Sequence, residues 1–334
     1  MNIEKMALPA HHRPGGGFRN PWPSARSHGF MDFLKWTLVE RRKRPPADRP
    51  IIKFPLALPN FVVPRAEPEK LTITWVGHTS FLVQLGSLNL LIDPVWSERA
   101  SPVSFAGPRR LTAPGVNFDR LPPIDAVVLS HDHYDHLDAR TIRRLIERYP
   151  AILWYCPLGV GAFLRKRGAR DVTERDWWET AENGKIDLTA VPAQHFSGRR
   201  LGKRNQTLWC GWVLKSRHHS VFFAGDTALH PEFADIARRC GPFNVAILPI
   251  GAYEPRWFMG SVHMNPGDCL EAFQTIETSH PGYPVKLVAA HWGTFKLTDE
   301  AVDEPPRLMR ELWAAARLGT EDLCILRHGE TRVI

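Results

Sequence analysis

The stretch SHDHYDHLD, residues 130–138, decides how the rest of the chain is read. Three histidines and two aspartates crowd into His131–His136, directly behind the apolar run Ile124–Leu129. A solvated loop more often uses lysine, glutamate, serine or glycine, and a core segment avoids so many polar side chains unless something partners them. The apolar run reads as a buried strand that delivers its last residues to the edge of a sheet. His131 and His133 stand two apart, so in extended chain their rings project to one side. Asp135 and His136 follow where the backbone turns into a helix beginning near Leu137. Imidazole and carboxylate are donors that zinc accepts, with iron and manganese as competitors. Four donors from one short hinge suit two metals better than one.

Further donors recur downstream, each at the end of an apolar run: His195 after TAVPAQ, Asp226 after VFFAG and His291 after KLVAA. A lone strand-end histidine is usually structural, but beside HxHxDH these three become candidate ligands. From Leu71 onward, short β-rich runs are punctuated by glycine, proline or aspartate: LTITWV, FLVQL, LNLLID, DAVVLSH, AILWYC, IDLTAVPAQH, TLWCGWVL, VFFAGD, NVAILPIG, KLVAAHWG and LCILRHG. Helical patterns lie between some of them: ARTIRRLIERYP, VGAFLRKRG, EFADIARRCG, PGDCLEAFQTIETS and PPRLMRELWAAARLG. Early strands follow one another directly and later ones alternate with helices. The expected class is α/β, a four-layer αββα sandwich of two mixed β-sheets flanked by helices. No internal repeat is strong enough to name.

Residues 1–68 differ in composition, with GGGFRNPWPSAR and RPPADRP opposing long regular elements. They read as an extended N-terminal arm ahead of a domain over residues 69–334. Within the arm, Phe30, Phe33, Leu34 and Leu38 fall at helical spacing with Trp36 nearby, and the segment ends in Arg41–Arg44. This predicts a short amphipathic helix with a basic end, suited either to packing on its own domain or to a membrane surface. The chain has 43 basic and 35 acidic side chains in 334 residues, a net charge of +8 that favours an anionic partner. Five widely separated cysteines without CxxC spacing indicate neither a thiolate zinc site nor a disulfide framework. No apolar stretch approaches the length of a membrane span, and no secretion signal is visible. The expected location is cytoplasmic, with peripheral contact at the inner face of a membrane as an option.

The ordered series TWVGHTSFLVQL, LIDPVWSERASP, GPRR, LPPIDAVVLSHDHYDHLD, DWWE, FFAGDT, GPFNVAILPIGAYEPRWFM, AHWGTF and HGE resembles the N-acyl-phosphatidylethanolamine-hydrolysing phospholipase D family, within the metallo-β-lactamase fold superfamily. FRNPWPS in the arm is similar as well. The resemblance covers most of residues 70–334. Carried over by position, it implies that His131, His133 and His195 hold one zinc, that Asp135, His136 and His291 hold another, and that Asp226 bridges both. It implies that Asp93 lies beside a metal-bound water and His263 near the substrate phosphate, making Asp93, Asp135 and His263 the candidate catalytic residues. The family usually has a polar residue where Val262 stands and an acid where Asn265 stands. His78 is expected to be structural or to support a ligand, and Tyr134 either shields the site or packs. His11, His12, His218, His219, His230 and His280 are expected in solvated loops, and Trp177, Trp178 and Trp257 in the core.

The activity implied is hydrolysis of an N-acylated phosphatidylethanolamine, or a related phosphodiester, to an N-acylethanolamine and phosphatidic acid. The alternatives are another ester, lactone or phosphodiester on the same metals, and a non-catalytic metal-binding scaffold. Scattered basic runs speak against a nucleic-acid partner. A homodimer is compatible with the sequence.

Overall fold

The computed structural model describes residues 8–23, 25, 28–40, 54–199 and 204–334. In the arm, α1 (Phe30–Leu34) continues as a π-helical turn over Lys35–Glu40. Trp36 is buried, its Nε1 donating to Asp299 Oδ2 at 2.8 Å and its ring centroid 5.2 Å from that of Phe258. Met31, Leu38 and Val39 are exposed, so the element has two faces. Its basic end, Arg41–Arg44, lies outside the described residues.

Two histidines expected in solvated loops are buried. His11 stacks on Trp177 at 4.2 Å, and His230 is sandwiched between Trp22 at 4.7 Å and Phe233 at 4.5 Å. The polar residues around each histidine carry no sign of the aromatic faces that receive it from distant sequence. His11 and His12 also grip one carboxylate, Asp176, through its two oxygens at 2.6 and 2.7 Å.

Three antiparallel strands, β1 (Thr72–Gly77), β2 (Ser80–Leu85) and β3 (Leu88–Ile92), follow from the direct succession of apolar runs. The β2–β3 turn puts Gly86 and Ser87 at φ 56° and 62°, as a tight hairpin with matching twist requires. Next come β4 (Ala126–Val128), α2 (Ala139–Arg148), β5 (Leu153–Pro157), α3 (Gly161–Arg165) and β6 (Asp171–Arg175). These three strands join β3 in parallel.

The second half repeats this plan. Strands β7 (Thr180–Glu182), β8 (Ile186–Val191), β9 (Gly211–Ser216) and β10 (Ser220–Phe223) pair antiparallel in succession. Then α4 (Phe233–Cys240), β11 (Val245–Pro249), α5 (Arg256–Met259), α6 (Pro266–Ser279), β12 (Lys286–Ala290), α7 (Glu304–Ala315) and β13 (Leu323–Cys324) alternate, with the strands parallel. Strand β14 (Thr331–Val333) returns to pair with β1. Among the described residues the sheets run β14-β1-β2-β3-β4-β5-β6 and β13-β12-β11-β10-β9-β8-β7. This is the expected α/β arrangement of two mixed sheets with flanking helices.

Side-chain alternation builds the layers. Ile73, Trp75, Phe81, Val83, Leu90 and Ile92 face one core with Leu188, Trp212, Leu214, Phe223 and Ile247 of the other sheet. Their neighbours Val76, Leu82, Leu91, Val127 and Trp154 face the opposite way, onto Ile142 and Leu145 of α2 and Leu164 of α3. Both faces of the central strands are therefore dry, which is why they read as unbroken apolar runs. The polar residues inside these strands, such as Thr74, Gln84 and Asn89, are buried and hydrogen-bonded to one another or to neighbouring segments.

Candidate metal centre

The segments that leave β4, β8, β10 and β12 meet at one edge of the sandwich. Four of them supply His131–His136, His195, Asp226 and His291. His131 Nε2 lies 2.8 Å from His133 Nδ1, and His195 Nε2 lies 3.2 Å from the same atom, so three imidazoles converge. Beside them, Asp226 Oδ2 is 3.0 Å from His136 Nε2, 3.1 Å from His291 Nε2, 3.7 Å from His195 Nε2 and 3.9 Å from His131 Nε2. Asp135 Oδ2 faces the same nitrogens of His136 and His291 at 3.5 and 3.6 Å. Asp226 is thus the hub between two groups of donors.

Most inward nitrogens are aimed from behind. His131 Nδ1 meets Ser130 Oγ at 2.9 Å, His136 Nδ1 meets Asp93 Oδ2 at 2.7 Å, and His195 Nδ1 meets the Val262 carbonyl at 2.9 Å. Such partners fix ring orientation in metal sites. His78, Asp93 and His291 hold φ of 57°, 38° and 61°, left-handed conformations uncommon outside glycine that tertiary structure must enforce.

The electrostatics fit a cation. Burial pulls His78 and His195 down to about 3 and His133 to about 4, leaving neutral imidazoles with lone pairs. Burial also drives His131 and His263 well below the ordinary value. For His136 and His291 burial pulls downward too, but Asp226 and Asp135 outweigh it. His136 is held well above its ordinary value and His291 at about 9. Burial would raise Asp135 and Asp226, yet the facing histidines, His136 first, keep both well below the carboxylate range. Positive charge is therefore demanded at this spot. Among the described residues, His136 Nε2, His291 Nε2 and Asp226 Oδ1 are buried without a well-formed hydrogen bond. Orphaned donors and acceptors facing one point are what a bound dication would satisfy.

All nine sequence-predicted site residues lie at or against this cluster, with one difference in placement. Asp93 is fully buried behind His136, its carboxylate accepting from Ser130 N at 2.7 Å, Ser130 Oγ at 2.5 Å and His136 Nδ1. It stands behind the imidazole it orients and does not itself line the cleft. Burial raises its pKa, against the hydrogen bond from His136. His263 stands at the front, Nδ1 4.0 Å from Asp226 Oδ2, with its ring 5.0 Å from that of His195. His78, read as a supporting residue, bonds Asp135 Oδ2 through Nε2 at 2.9 Å. The two departures from the family pattern are accounted for locally. Val262 serves through its carbonyl, and Asn265 caps α6 by accepting from Asp268 N at 2.8 Å.

The cluster opens into a cleft of about 840 Å³. His133, Asp135, Asp226 and His263 form its floor, and Trp36, Pro102, Phe196, Phe258, Met259 and Leu297 supply apolar wall. Sequence reasoning did not foresee that the arm contributes His28, Gly29 and Trp36 to this wall. Tyr134 lines the cleft too, its hydroxyl donating to the Arg199 carbonyl at 2.9 Å.

A β-lactamase superfamily domain model matches residues 88–292. An uncharacterized protein of Mycobacterium tuberculosis is 41% identical over 290 residues, spanning 86% of this chain and 73% of that one. N-acyl-phosphatidylethanolamine-hydrolyzing phospholipase D 1 of Caenorhabditis elegans is 36% identical over 332 residues, spanning 94% of this chain and 90% of the worm protein. Among solved structures, Igni18, a metallo hydrolase from Ignicoccus hospitalis, superposes with a TM-score of 0.59 at 20% identity, over 79% of this chain and 98% of its own, a likeness of fold alone. With the histidine and aspartate cluster in place, the chain is a metal-dependent hydrolase of the β-lactamase superfamily and belongs to the N-acyl-phosphatidylethanolamine-hydrolysing phospholipase D family.

Proposed function

We propose that the chain is a dinuclear zinc phosphodiesterase of phospholipase D type, hydrolysing an N-acyl-phosphatidylethanolamine or a related phospholipid to an N-acylethanolamine and phosphatidic acid. The observation that carries this reading is a two-group donor cluster, hinged on Asp226, at the floor of a large apolar cleft. In it His131, His133 and His195 would hold one ion, Asp135, His136 and His291 the other, and Asp226 both. A metal pair held there would supply a bound water of lowered pKa and charge to brace the oxygens of a phosphodiester displacement.

The chain's own residues do the rest. Asp93, Ser130 and the Val262 carbonyl lock His136, His131 and His195 so that the cluster needs little rearrangement during turnover. His78 keeps Asp135 turned toward the floor. His263, whose Nδ1 has no hydrogen-bond partner among the described residues, would donate to a phosphoryl oxygen. Phe196, Phe258, Met259 and Leu297 would receive the start of an acyl chain and exclude water. Residues 69–334 are taken as the hydrolase unit and residues 1–68 as an arm that helps wall the cleft. The location is taken as cytoplasmic, and peripheral membrane contact fits the exposed Met31, Leu38, Val39 and Trp257, the last of which departs from its expected place in the core. No helix among the described residues is long and apolar enough to cross a membrane.

The test is release of N-acylethanolamine from a defined N-acyl-phosphatidylethanolamine in mixed micelles, with metal analysis of the same preparation and of Asp226→Ala. Turnover with two zinc ions per chain, lost in the variant, is expected. Full metal occupancy without turnover would remove this substrate and turn attention to other diesters and to lactones.

A further inference from the structure

A second cavity adjoins the metal cleft, and its chemistry is opposite to the cleft's apolar wall. It measures about 320 Å³ and is lined by Arg99, Arg140, Arg167 and Arg199 together with Ser97 and Ser101. Pro102, Tyr134 and Arg199 line both spaces, so the two share a wall.

The four guanidinium groups have no carboxylate partner among the described residues. Arg99 donates to the Gly107 carbonyl at 2.6 Å, Arg167 to the Phe163 carbonyl at 3.0 Å, and Arg199 to the Asp132 and Leu137 carbonyls at 2.9 and 2.7 Å. Arg167 and Arg199 are half-buried, flanking the Phe163 ring at 3.3 and 4.5 Å, and Arg199 also covers Tyr134 at 4.2 Å. The acids in the cavity wall are committed elsewhere. Glu98 is bound to Arg109 at 2.5 Å. Asp138 accepts from Ser97 Oγ at 2.8 Å, Thr141 Oγ1 at 2.5 Å and the backbone N–H groups of Ser97 and Arg140 at 2.9 and 3.1 Å. Asp132, outside the cavity lining, accepts from Gly198 N at 2.9 Å. Burial lowers the pKa of Arg199 to about 10, and Tyr134, Asp132 and Asp138 oppose it only in part. Unpaired arginines gathered around a concave space are a site lacking its anion.

We propose that Arg99, Arg140, Arg167 and Arg199 bind a phosphate monoester group, in a site separate from the metal centre and joined to it across Tyr134. A monoester is close to a dianion at neutral pH, whereas a diester carries one charge, so a cluster of cations favours the former. Planar guanidinium forks match phosphate oxygens in pairs. The group has two sources with the same chemistry, the headgroup of a phosphatidate lipid or a free soluble phosphate. The site stands on its arginines, whichever diester the metal centre cleaves.

The test is calorimetric titration of the zinc-loaded full chain at low salt with inorganic phosphate and, separately, with dihexanoyl phosphatidate. Each is repeated on Arg140→Ala/Arg167→Ala and on Arg140→Lys/Arg167→Lys, with metal content and melting temperature checked. Phosphate held at the metals is a background common to all three proteins. Loss of about tenfold or more in affinity per arginine removed is expected, following the strength of charged hydrogen bonds, with much of it retained in the lysine variant. Equal affinity for both probes assigns the site to soluble phosphate, and tighter phosphatidate binding assigns it to the lipid headgroup. Unchanged affinities in the alanine variant, or a wild type that binds neither probe, overturn the proposal.

Discussion

Removing the Asp93 carboxylate separates a residue that aims a ligand from one that touches the reacting water. Asp93→Ala takes the acceptor away from two buried donors, Ser130 N–H and His136 Nδ1–H. Each orphaned buried donor costs about 1–3 kcal/mol, so the gross penalty is roughly 2–6 kcal/mol. Thr79 Oγ1 sits 3.1 Å from His136 Nδ1 and can take over that bond, while the Ser130 hydroxyl can rotate away. The expected loss is therefore in the lower half of that range, about 2–4 kcal/mol, read by urea denaturation. Loss of a partner behind a ligating histidine weakens metal affinity about 10–100-fold, measurable by competition with a chromogenic chelator. Asp93→Asn keeps the volume and an oxygen for Ser130 N, but its amide cannot accept from His136 through the NH2 side. It should recover stability more than affinity. Turnover at saturating zinc decides the matter, because a misaimed ligand is rescued by metal and a missing proton acceptor is not. Activity lost at full metal occupancy, or an affinity equal to wild type, would refute the positioning argument.

Three further outcomes follow from the same geometry. His78→Ala frees Asp135 Oδ2 from its 2.9 Å partner and should weaken the affinity of one metal of the pair about 10–100-fold, seen as biphasic chelation kinetics. Asp176 is half-buried, which pulls its carboxylate up, but His11 and then His12 outweigh that and hold it below its ordinary value. A depressed carboxylate contributes stability above its unfolded pKa and loses it as pH falls through the folded one. The arm should therefore loosen below the ordinary carboxylate range, reported by Trp177 fluorescence as the His11 stack is lost, and Asp176→Asn should abolish that transition. Ile142→Ala, at a fully buried position of α2 against the outer core, should cost about 2–5 kcal/mol with an unchanged denaturant slope.

What was legible in the sequence is what burial on both faces enforces. The central strands appear as continuous apolar runs because each residue has a core to enter. The metal donors stand out because five polar groups directly behind such a run need a shared partner. Where those conditions lapse, the pattern goes silent. Strand β6 has no buried residue, β7 is three residues long with a single buried one, and β14 is three residues long with none, so each pattern is too weak or too short to read. The duplicated strand order was equally hidden, because it is written in pairing directions and not in residue types. Asp93 shows the limit most sharply. The letters LLIDP place a carboxylate at a strand end, but which side of His136 it occupies depends on its φ of 38° and on Ser130, thirty-seven residues away, offering two donors. The arginine cavity is more distant still from any motif. Arg99, Arg140, Arg167 and Arg199 come from four separate segments, and only folding reveals that they face one space with no salt bridge to any carboxylate of the described residues. Ligands grouped on a hinge can be found by spacing, whereas charges assembled from separate segments are found by asking which of them the fold leaves unpaired.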